Sequence, residues 1–214
     1  MDVFEPLEGL FMFNSYVAPI DLSFNQFLLL GPEPLLVHTG TAAQADELAP
    51  QLERALGGRR LAYIFISHFE SDECGGLSRL LGRFPGAKPL CGAVTARQLA
   101  GFGITGDAVV KAPGEKQPGE GLNLQFLPYP SEAHLWEGLL AYEAQRGILF
   151  SGDLFTRRGR VGQPLAVSRW AEEVGAITEA QIPSPSARQA LQGELARVPV
   201  RFVASGHGPV LEVH

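Results

Sequence analysis

A buried strand in this 214-residue chain runs directly into a strongly acidic turn. Leu61–Ser67 (LAYIFIS) is almost entirely apolar, as expected of a strand that is covered on both faces. Ser67–Gly76 (SHFESDECGG) follows at once and leads into a predicted helix. This turn carries four candidate metal ligands within six residues: His68, Glu70, Asp72 and Glu73. Any fold of this chain must therefore accommodate four crowded polar side chains at one strand end.

The charges of this turn favour a bound cation. His68 and Glu70 are two residues apart, so an extended backbone projects both side chains to the same side. The carboxylates of the turn repel one another, and a metal ion removes that repulsion because it binds the deprotonated groups. The alternative is a solvated acidic turn with an isolated histidine, and the turn alone does not decide between the two.

Three residues elsewhere in the chain favour the metal hypothesis. Asp153 follows an apolar strand in ILFSGDLF, and His207 follows the apolar RFVA in SGHGP. Glycine precedes both residues, and glycine permits a sharp turn and the close approach of a ligand. His134 lies between two predicted strands, in PSEAHLW. We therefore expect distant parts of the chain to meet around a dinuclear metal centre.

The remaining pattern predicts an α/β protein. Apolar runs predict strands at Met12–Val17, Gln26–Leu30, Pro34–His38, Leu61–Ser67, Leu122–Leu127, Gly138–Tyr142, Gly147–Phe150 and Val200–Ala204. Helical spacing predicts helices at Thr41–Leu56, Glu73–Phe84, Val94–Phe102 and Ser184–Val198, and a further helix around Arg169–Thr178. Ala112–Gly121 (APGEKQPGEG) is predicted to be an exposed hairpin loop. Strands interleaved with helices favour a sandwich of two sheets, within a single domain that spans residues 1–214.

The order of the ligands resembles the metal motifs of the metallo-β-lactamase superfamily. HxExD is followed along the chain by H, D and H, whereas the commoner first motif of the superfamily is HxHxDH. Glutamate in place of the second histidine looks like the diiron subgroup, which comprises flavodiiron proteins and related oxygen-binding diiron proteins. The segments FNQFLLL, PLLVHTG and LFSGD are also similar to that subgroup. The resemblance extends from about Phe13 to Gly208.

This resemblance implies the metallo-β-lactamase fold, an αββα four-layer sandwich of two mixed sheets flanked by helices, and a homodimer. It assigns one metal to His68, Glu70 and His134. It assigns the other metal to Asp72 and His207, with Asp153 as a bridge between the two. The chain departs from the family at Glu73, where the family usually has histidine, and we include Glu73 as an oxygen ligand. HLW also replaces an HWPD-like run after His134.

The donor set favours iron as the metal, with zinc or manganese as alternatives. Three histidines are combined with up to four carboxylates, and oxygen-rich sets suit iron or manganese better than zinc. By resemblance, the chain would bind or reduce dioxygen or nitric oxide. Because the chain ends soon after His207 and has only two cysteines, we expect electrons from a separate flavin or iron–sulfur reductase.

Two other functions stay open on the sequence. One is a metal-dependent hydrolase that acts on a small-molecule ester, thioester or phosphodiester through a metal-activated water of pKa about 7. Asp72 and Asp153 are the candidate catalytic residues, and Asp72 would orient that water. The other is a non-catalytic scaffold that keeps a metal for stability.

The composition limits the partners and the compartment. The net charge of -6 argues against a nucleic-acid or anionic-membrane partner, since both need clustered positive charge. No apolar run reaches the length of a membrane span, and no basic leader precedes an apolar stretch. Cys74 and Cys91 form no disulfide framework, so we predict free, buried cysteines and a cytoplasmic protein. His38 is predicted to bond to the backbone rather than to a metal.

Overall fold

The structure is a computed structural model that describes residues 1–104, 107–130 and 138–214. The described residues form two seven-stranded sheets. The predicted ligand His134, with the HLW run that it begins, lies outside the described residues.

The first sheet follows the order of the chain. Its strands are β1 (Asp2–Leu7), β2 (Leu10–Val17), β3 (Leu22–Leu29), β4 (Leu35–Val37), β5 (Tyr63–Phe65), β6 (Lys88–Gly92) and β7 (Val109–Lys111). The strands from β1 to β4 pair in antiparallel fashion, and those from β4 to β7 pair in parallel. Strand β4 is buried and β5 is largely buried, as the apolar runs predict, whereas the edge strand β7 is partly exposed.

The second sheet is also mixed. Its strands are β8 (Lys116–Gly119), β9 (Leu122–Tyr129), β10 (Gly138–Glu143), β11 (Ile148–Phe150), β12 (Leu165–Ser168), β13 (Phe202–Ala204) and β14 (Val210–Val213). They lie in the order β12-β14-β13-β11-β10-β9-β8. Strands β11 and β13 pair in parallel, so the chain leaves both of them at the same edge of the sheet.

The described residues also form six α-helices, most of which pack against the outer faces of the sheets. They are α1 (Ala42–Leu56), α2 (Ser71–Cys74), α3 (Leu77–Arg83), α4 (Ala93–Gly101), α5 (Trp170–Gly175) and α6 (Pro185–Leu195). A capping box between Thr41 and Gln44 begins α1, and the Ser184 side chain caps α6 ahead of Pro185.

Three apolar clusters separate four layers. One cluster lies between the sheets and includes Phe27, Phe65, Phe126 and Phe150. A second joins the first sheet to α1, α3 and α4, and a third joins the second sheet to α5 and α6. The predicted αββα sandwich of two mixed sheets is therefore confirmed.

Two local predictions were wrong in detail. The predicted loop at Ala112–Gly121 contains β8, which pairs with β9. The predicted helix Glu73–Phe84 is divided into α2 and α3 at Gly75 and Gly76. A Cβ atom at Gly76 would overlap the side chain of Ala45 on α1, so the close packing of this turn requires glycine.

The predictions for the cysteines and for membrane-spanning segments also have a counterpart in the structure. Cys74 and Cys91 are free and buried, as predicted. Among the described residues, every helix is too short or too polar to span a membrane.

Removing an aromatic ring from the cluster between the sheets should destabilise the fold strongly. Phe126 is fully buried, and its ring centroid lies 5.8 Å from that of Phe65 in the opposite sheet. We expect Phe126→Ala to lower the free energy of unfolding by about 3–5 kcal/mol, because it leaves a cavity. Urea denaturation followed by circular dichroism measures this change.

Val167→Ala is the control, since Val167 is 69% exposed and its truncation should change the free energy of unfolding by less than about 0.5 kcal/mol. Equal stability of the two variants would contradict a shared core between the sheets.

Candidate metal centre

The predicted ligands that the structure describes converge at one edge of the sandwich. His68 follows β5 of the first sheet, and the chain then turns into α2. Asp153 follows β11 and His207 follows β13, which are parallel neighbours in the second sheet. The site therefore lies where strands of both sheets end, and neither sheet contains it alone.

Six predicted ligands lie together, in two overlapping groups around Asp153. The ligand atoms of His68, Glu70 and Glu73 all lie within 4.8 Å of one another. Those of Asp72, Glu73 and His207 satisfy the same distance. Glu73 belongs to both groups and is only 1% exposed. The residue at which the chain departs from the family pattern thus occupies the junction of the two groups.

Asp153 connects the histidines of the two groups. Its Oδ2 atom lies 3.3 Å from Nε2 of His68, and its Oδ1 atom lies 3.4 Å from Nε2 of His207. One carboxylate thus presents a separate oxygen to each imidazole. This placement is compatible with the bridging role predicted for Asp153, which stays a prediction.

The two imidazoles are held by their other ring nitrogen. Nδ1 of His207 lies 2.9 Å from the backbone oxygen of Ser23, and Nδ1 of His68 lies 2.9 Å from Oγ of Ser67. With a proton on Nδ1, a neutral imidazole offers the lone pair of Nε2 to a metal. Both histidines therefore direct the nitrogen that can ligate toward the carboxylates.

Strand β3 fixes the turn that carries His207. The backbone N–H of Asn25 donates to the oxygen of Gly206 at 2.8 Å. The side-chain amide of Asn25 donates to the backbone oxygens of Ser205, at 3.0 Å, and Gly208, at 2.7 Å. Asn14 in turn donates to the Asn25 side chain at 2.6 Å. The first sheet therefore holds a ligand turn that belongs to the second sheet.

Aromatic rings border both imidazoles. Phe24 meets His207 edge to face, with the ring centroids 5.1 Å apart, and Tyr129 meets His68 in the same way at 5.4 Å. The side chains of both histidines are 8% exposed, whereas those of Glu70 and Asp153 are 43% and 35% exposed. The ligand cluster consequently opens to solvent on its Glu70 and Asp153 side.

Opposite charges shift the pKa values of three ligands. Burial by itself lowers the pKa of His68, but hydrogen bonds to Asp153 and Glu70 outweigh it and raise that pKa to about 11. Burial likewise opposes the raised pKa of His207, which the bond to Asp153 produces. Burial would raise the pKa of Asp153, yet the two histidines hold it below its usual range. The cluster thus stabilises positive charge next to Asp153.

The surroundings of Glu73 and Asp72 disfavour the ionised form of both carboxyl groups. Burial raises the pKa of Glu73 well above its ordinary value, and burial with the nearby Asp153 raises the pKa of Asp72. The buried atom Oε2 of Glu73 has no hydrogen-bond partner among the described residues, and the buried Oδ1 of Asp153 has only the long contact of 3.4 Å to Nε2 of His207 there. Poorly satisfied buried oxygens are costly, and a cation would satisfy both of them. The residues present therefore fit a metal ion with oxygen and imidazole ligands.

His38 belongs to neither ligand group, and the predicted bond of its side chain to the backbone was wrong. Its Nε2 atom instead lies 2.9 Å from the hydroxyl oxygen of Ser67. Burial and the neighbouring His68 lower the pKa of His38 to about 3. His38 is therefore a neutral, buried side chain behind the ligand His68.

Three residues that orient the ligands were not predicted from the sequence: Ser23, Asn25 and Ser67. Ser67 had a visible signal, because it is a polar residue in the otherwise apolar predicted strand Leu61–Ser67, whereas Asn25 lies just before the predicted strand Gln26–Leu30. Ser23 had none, since it acts through its backbone oxygen, which every residue type provides.

The fold and the ligand cluster together define a metallo-β-lactamase-type protein with a candidate dinuclear metal centre. A family model described as "ODP family beta lactamase" matches residues 22–208. The chain belongs to this family, and the resemblance inferred from its motifs is confirmed.

Curated relatives are longer than this chain. It is 23% identical over 206 residues to "Putative diflavin flavoprotein A 2" of Nostoc sp. strain PCC 7120. That alignment covers 90% of this chain and 34% of the relative. It is also 26% identical over 136 residues to "Anaerobic nitric oxide reductase flavorubredoxin" of Salmonella arizonae. That alignment covers 62% of this chain and 28% of the relative. The chain thus spans about a third of the length of these relatives.

A solved structure supports the same fold. The flavodiiron protein from Giardia intestinalis superimposes with a TM-score of 0.81 at 18% identity. The match covers 99% of this chain and 56% of that one. The whole described architecture is therefore shared.

The lowered pKa of His38 predicts a loss of stability in acid. Since the unfolded histidine titrates near 6.5 and the folded one near 3, the unfolded state binds an extra proton between these pH values. Stability should fall as pH falls through that window, by up to about 1.4 kcal/mol per pH unit from this residue. Urea denaturation between pH 6.5 and 4.5 measures the free energy of unfolding of the wild type and of His38→Asn. The difference between the two proteins isolates the contribution of His38 to the pH dependence of stability.

Asparagine is the matched replacement because His38 has a φ of 64°, a backbone conformation that asparagine tolerates. A stability difference that is constant over this pH range would contradict the prediction.

Proposed function

We propose that this chain holds two iron ions and binds or reduces dioxygen or nitric oxide. The observation that carries the proposal is the Asp153 carboxylate, which lies between His68 and His207 with one oxygen toward each. The excess of carboxylate over imidazole ligands supports iron over zinc. The names of the relatives, a diflavin flavoprotein and a nitric oxide reductase flavorubredoxin, support the same chemistry.

The ligands divide between two positions in this proposal. His68, Glu70 and the predicted ligand His134 would hold one iron. Asp72, Glu73 and His207 would hold the other, and Asp153 would be shared. When bound, iron supplies one-electron redox chemistry and open coordination positions for a small gas.

The protein contributes charge, orientation and access. Carboxylates of Glu70, Asp72, Glu73 and Asp153 balance the charge of two cations at a buried position. The bonds to Nδ1 of the histidines keep each imidazole in the form that ligates through Nε2. The exposed side of the cluster, at Glu70 and Asp153, provides the approach for a small molecule.

The partners follow from the same chemistry. We propose that electrons come from a separate flavin or iron–sulfur reductase, because the described residues include no cluster of cysteines that could hold an electron-transfer centre. The predicted homodimer and cytoplasmic location belong to this proposal as well.

The metal and its reactivity test the proposed function together. Elemental analysis of protein produced with iron and zinc both available should give two irons per chain. The dithionite-reduced protein should then change its absorption spectrum on addition of dioxygen or nitric oxide. An iron-loaded protein without any spectral response would overturn the proposal. Zinc, with esterase or phosphodiesterase turnover that Asp72→Ala abolishes, would establish the hydrolase instead.

Glu73 provides a second, thermodynamic prediction. Without metal, Glu73→Gln should raise the free energy of unfolding by about 1–3 kcal/mol, because it replaces a buried carboxylate whose Oε2 has no described hydrogen-bond partner. With ferrous iron, the wild type should gain more stability than the variant, because it binds the ion more tightly. Unfolding measured anaerobically with chelator and with ferrous iron gives both quantities.

Glu143→Gln is the matched control. Glu143 is equally buried, but its carboxylate accepts hydrogen bonds from the backbone of Asn123, Gln145 and Arg146, away from the cluster. This variant should lose the same stability with and without iron. A Glu73→Gln protein that gains as much stability from iron as the wild type would exclude Glu73 as a ligand.

A further inference from the structure

A chain of two hydrogen bonds extends from the ligand His68 into the interior. Nδ1 of His68 lies 2.9 Å from Oγ of Ser67, and the same Oγ lies 2.9 Å from Nε2 of His38. Ser67 is fully buried and His38 is 2% exposed. A serine hydroxyl has one hydrogen to donate and two lone pairs to accept with, so the direction of the two bonds can be deduced.

The direction of the two hydrogen bonds follows from the role of His68 as a metal ligand. A metal at Nε2 of His68 requires the proton of this imidazole on Nδ1, which then donates to Oγ of Ser67. The hydroxyl hydrogen of Ser67 has one remaining acceptor in this pair of contacts, Nε2 of His38. That atom must therefore be unprotonated, and the neutral His38 carries its proton on Nδ1.

We propose that Ser67 and His38 are positioning residues, which hold His68 in the tautomer and orientation that a metal at Nε2 requires. This inference deepens the proposed function and rests on the metal position at His68. The two residues touch no reacting group; they act through His68 alone. Removing such a partner of a metal-bound histidine typically weakens metal binding by about 10- to 100-fold.

Close packing makes the Ser67 hydroxyl hard to replace. A Cβ atom at Gly152 would lie 3.2 Å from Oγ of Ser67, and the backbone N–H of Leu139 donates to the Ser67 carbonyl at 2.8 Å. The space left by removing one oxygen atom there is smaller than a water molecule needs. A variant without the hydroxyl therefore leaves Nδ1 of His68 without its partner.

The second histidine provides an internal control. Nδ1 of His207 donates to the backbone oxygen of Ser23, which no side-chain substitution removes. The loss of the Ser67 hydroxyl should consequently weaken the metal position at His68 and spare the one at His207. A general loss of folding would weaken both.

The first experiment measures metal affinity. Ferrous iron is titrated anaerobically into wild type, Ser67→Ala and Ser151→Ala in competition with a chelator. Ser67→Ala should lose about 10- to 100-fold in affinity at one of two positions, and the affinity at the other should change much less. Ser151→Ala is the matched control, since Ser151 is fully buried near the cluster but donates to the backbone oxygen of Leu154. Equal affinities in all three proteins would overturn the inference.

The second experiment reads the tautomers directly. Long-range proton–nitrogen correlation spectra of histidine-labelled protein, with zinc as a diamagnetic probe, distinguish a proton on Nδ1 from one on Nε2. His38 and His68 should both carry it on Nδ1, and His68 should lose this single state in Ser67→Ala. His38→Asn, which suits the left-handed backbone but has a shorter side chain, should shift the His68 signals in the same direction.

The two proposals can fail separately. If the wild type binds neither iron nor zinc, the proposed function is wrong, and the His38 tautomer can still be measured. A wild type that binds two metals but carries the His38 proton on Nε2 retains the proposed function and overturns the positioning chain.

Discussion

The carboxylate of Asp153 reaches across the sandwich, 3.3 Å from an imidazole of the first sheet and 3.4 Å from one of its own sheet. These contacts exist only because the two sheets are packed at a fixed separation and stagger. The core between them, which includes Phe27 and Phe126, supplies the separation. The bonds from Asn25 to the turn around His207 supply the stagger. Stability of the fold and geometry of the centre therefore depend on the same packing.

The two histidines of the cluster are oriented by different means. A backbone carbonyl holds His207, whereas a buried serine backed by a second histidine holds His68. Both arrangements come from the first sheet or from the end of its strand β5. The second sheet contributes Asp153 and the His207 imidazole, so His207 is held by the opposite sheet, whereas His68 is held by its own sheet.

The parts of this molecule that could be predicted from the sequence are those marked by a particular type of residue. Apolar runs gave eight strands, and strand-end polar residues gave six ligands that lie together. Six of the fourteen described strands were not predicted: β1, β6, β7, β8, β12 and β14. Strand β8 gave no signal because Lys116–Gly119 contains proline and exposed polar residues and lies at an edge of its sheet. The support from Ser23 was not predicted either, since a backbone oxygen is available at every position. Long-range register, which decides which carbonyl meets His207, is not encoded in any local pattern.

Glu73 contributes to both ligand groups, and this sharing has a thermodynamic consequence. If cations occupy both groups, each draws on the same carboxylate, so filling one position changes the free energy of filling the other. Such linkage is reciprocal: the first ion alters the affinity for the second by the factor that the second would impose on the first. Occupancy of the pair is then described by two macroscopic constants, and both contain this coupling factor.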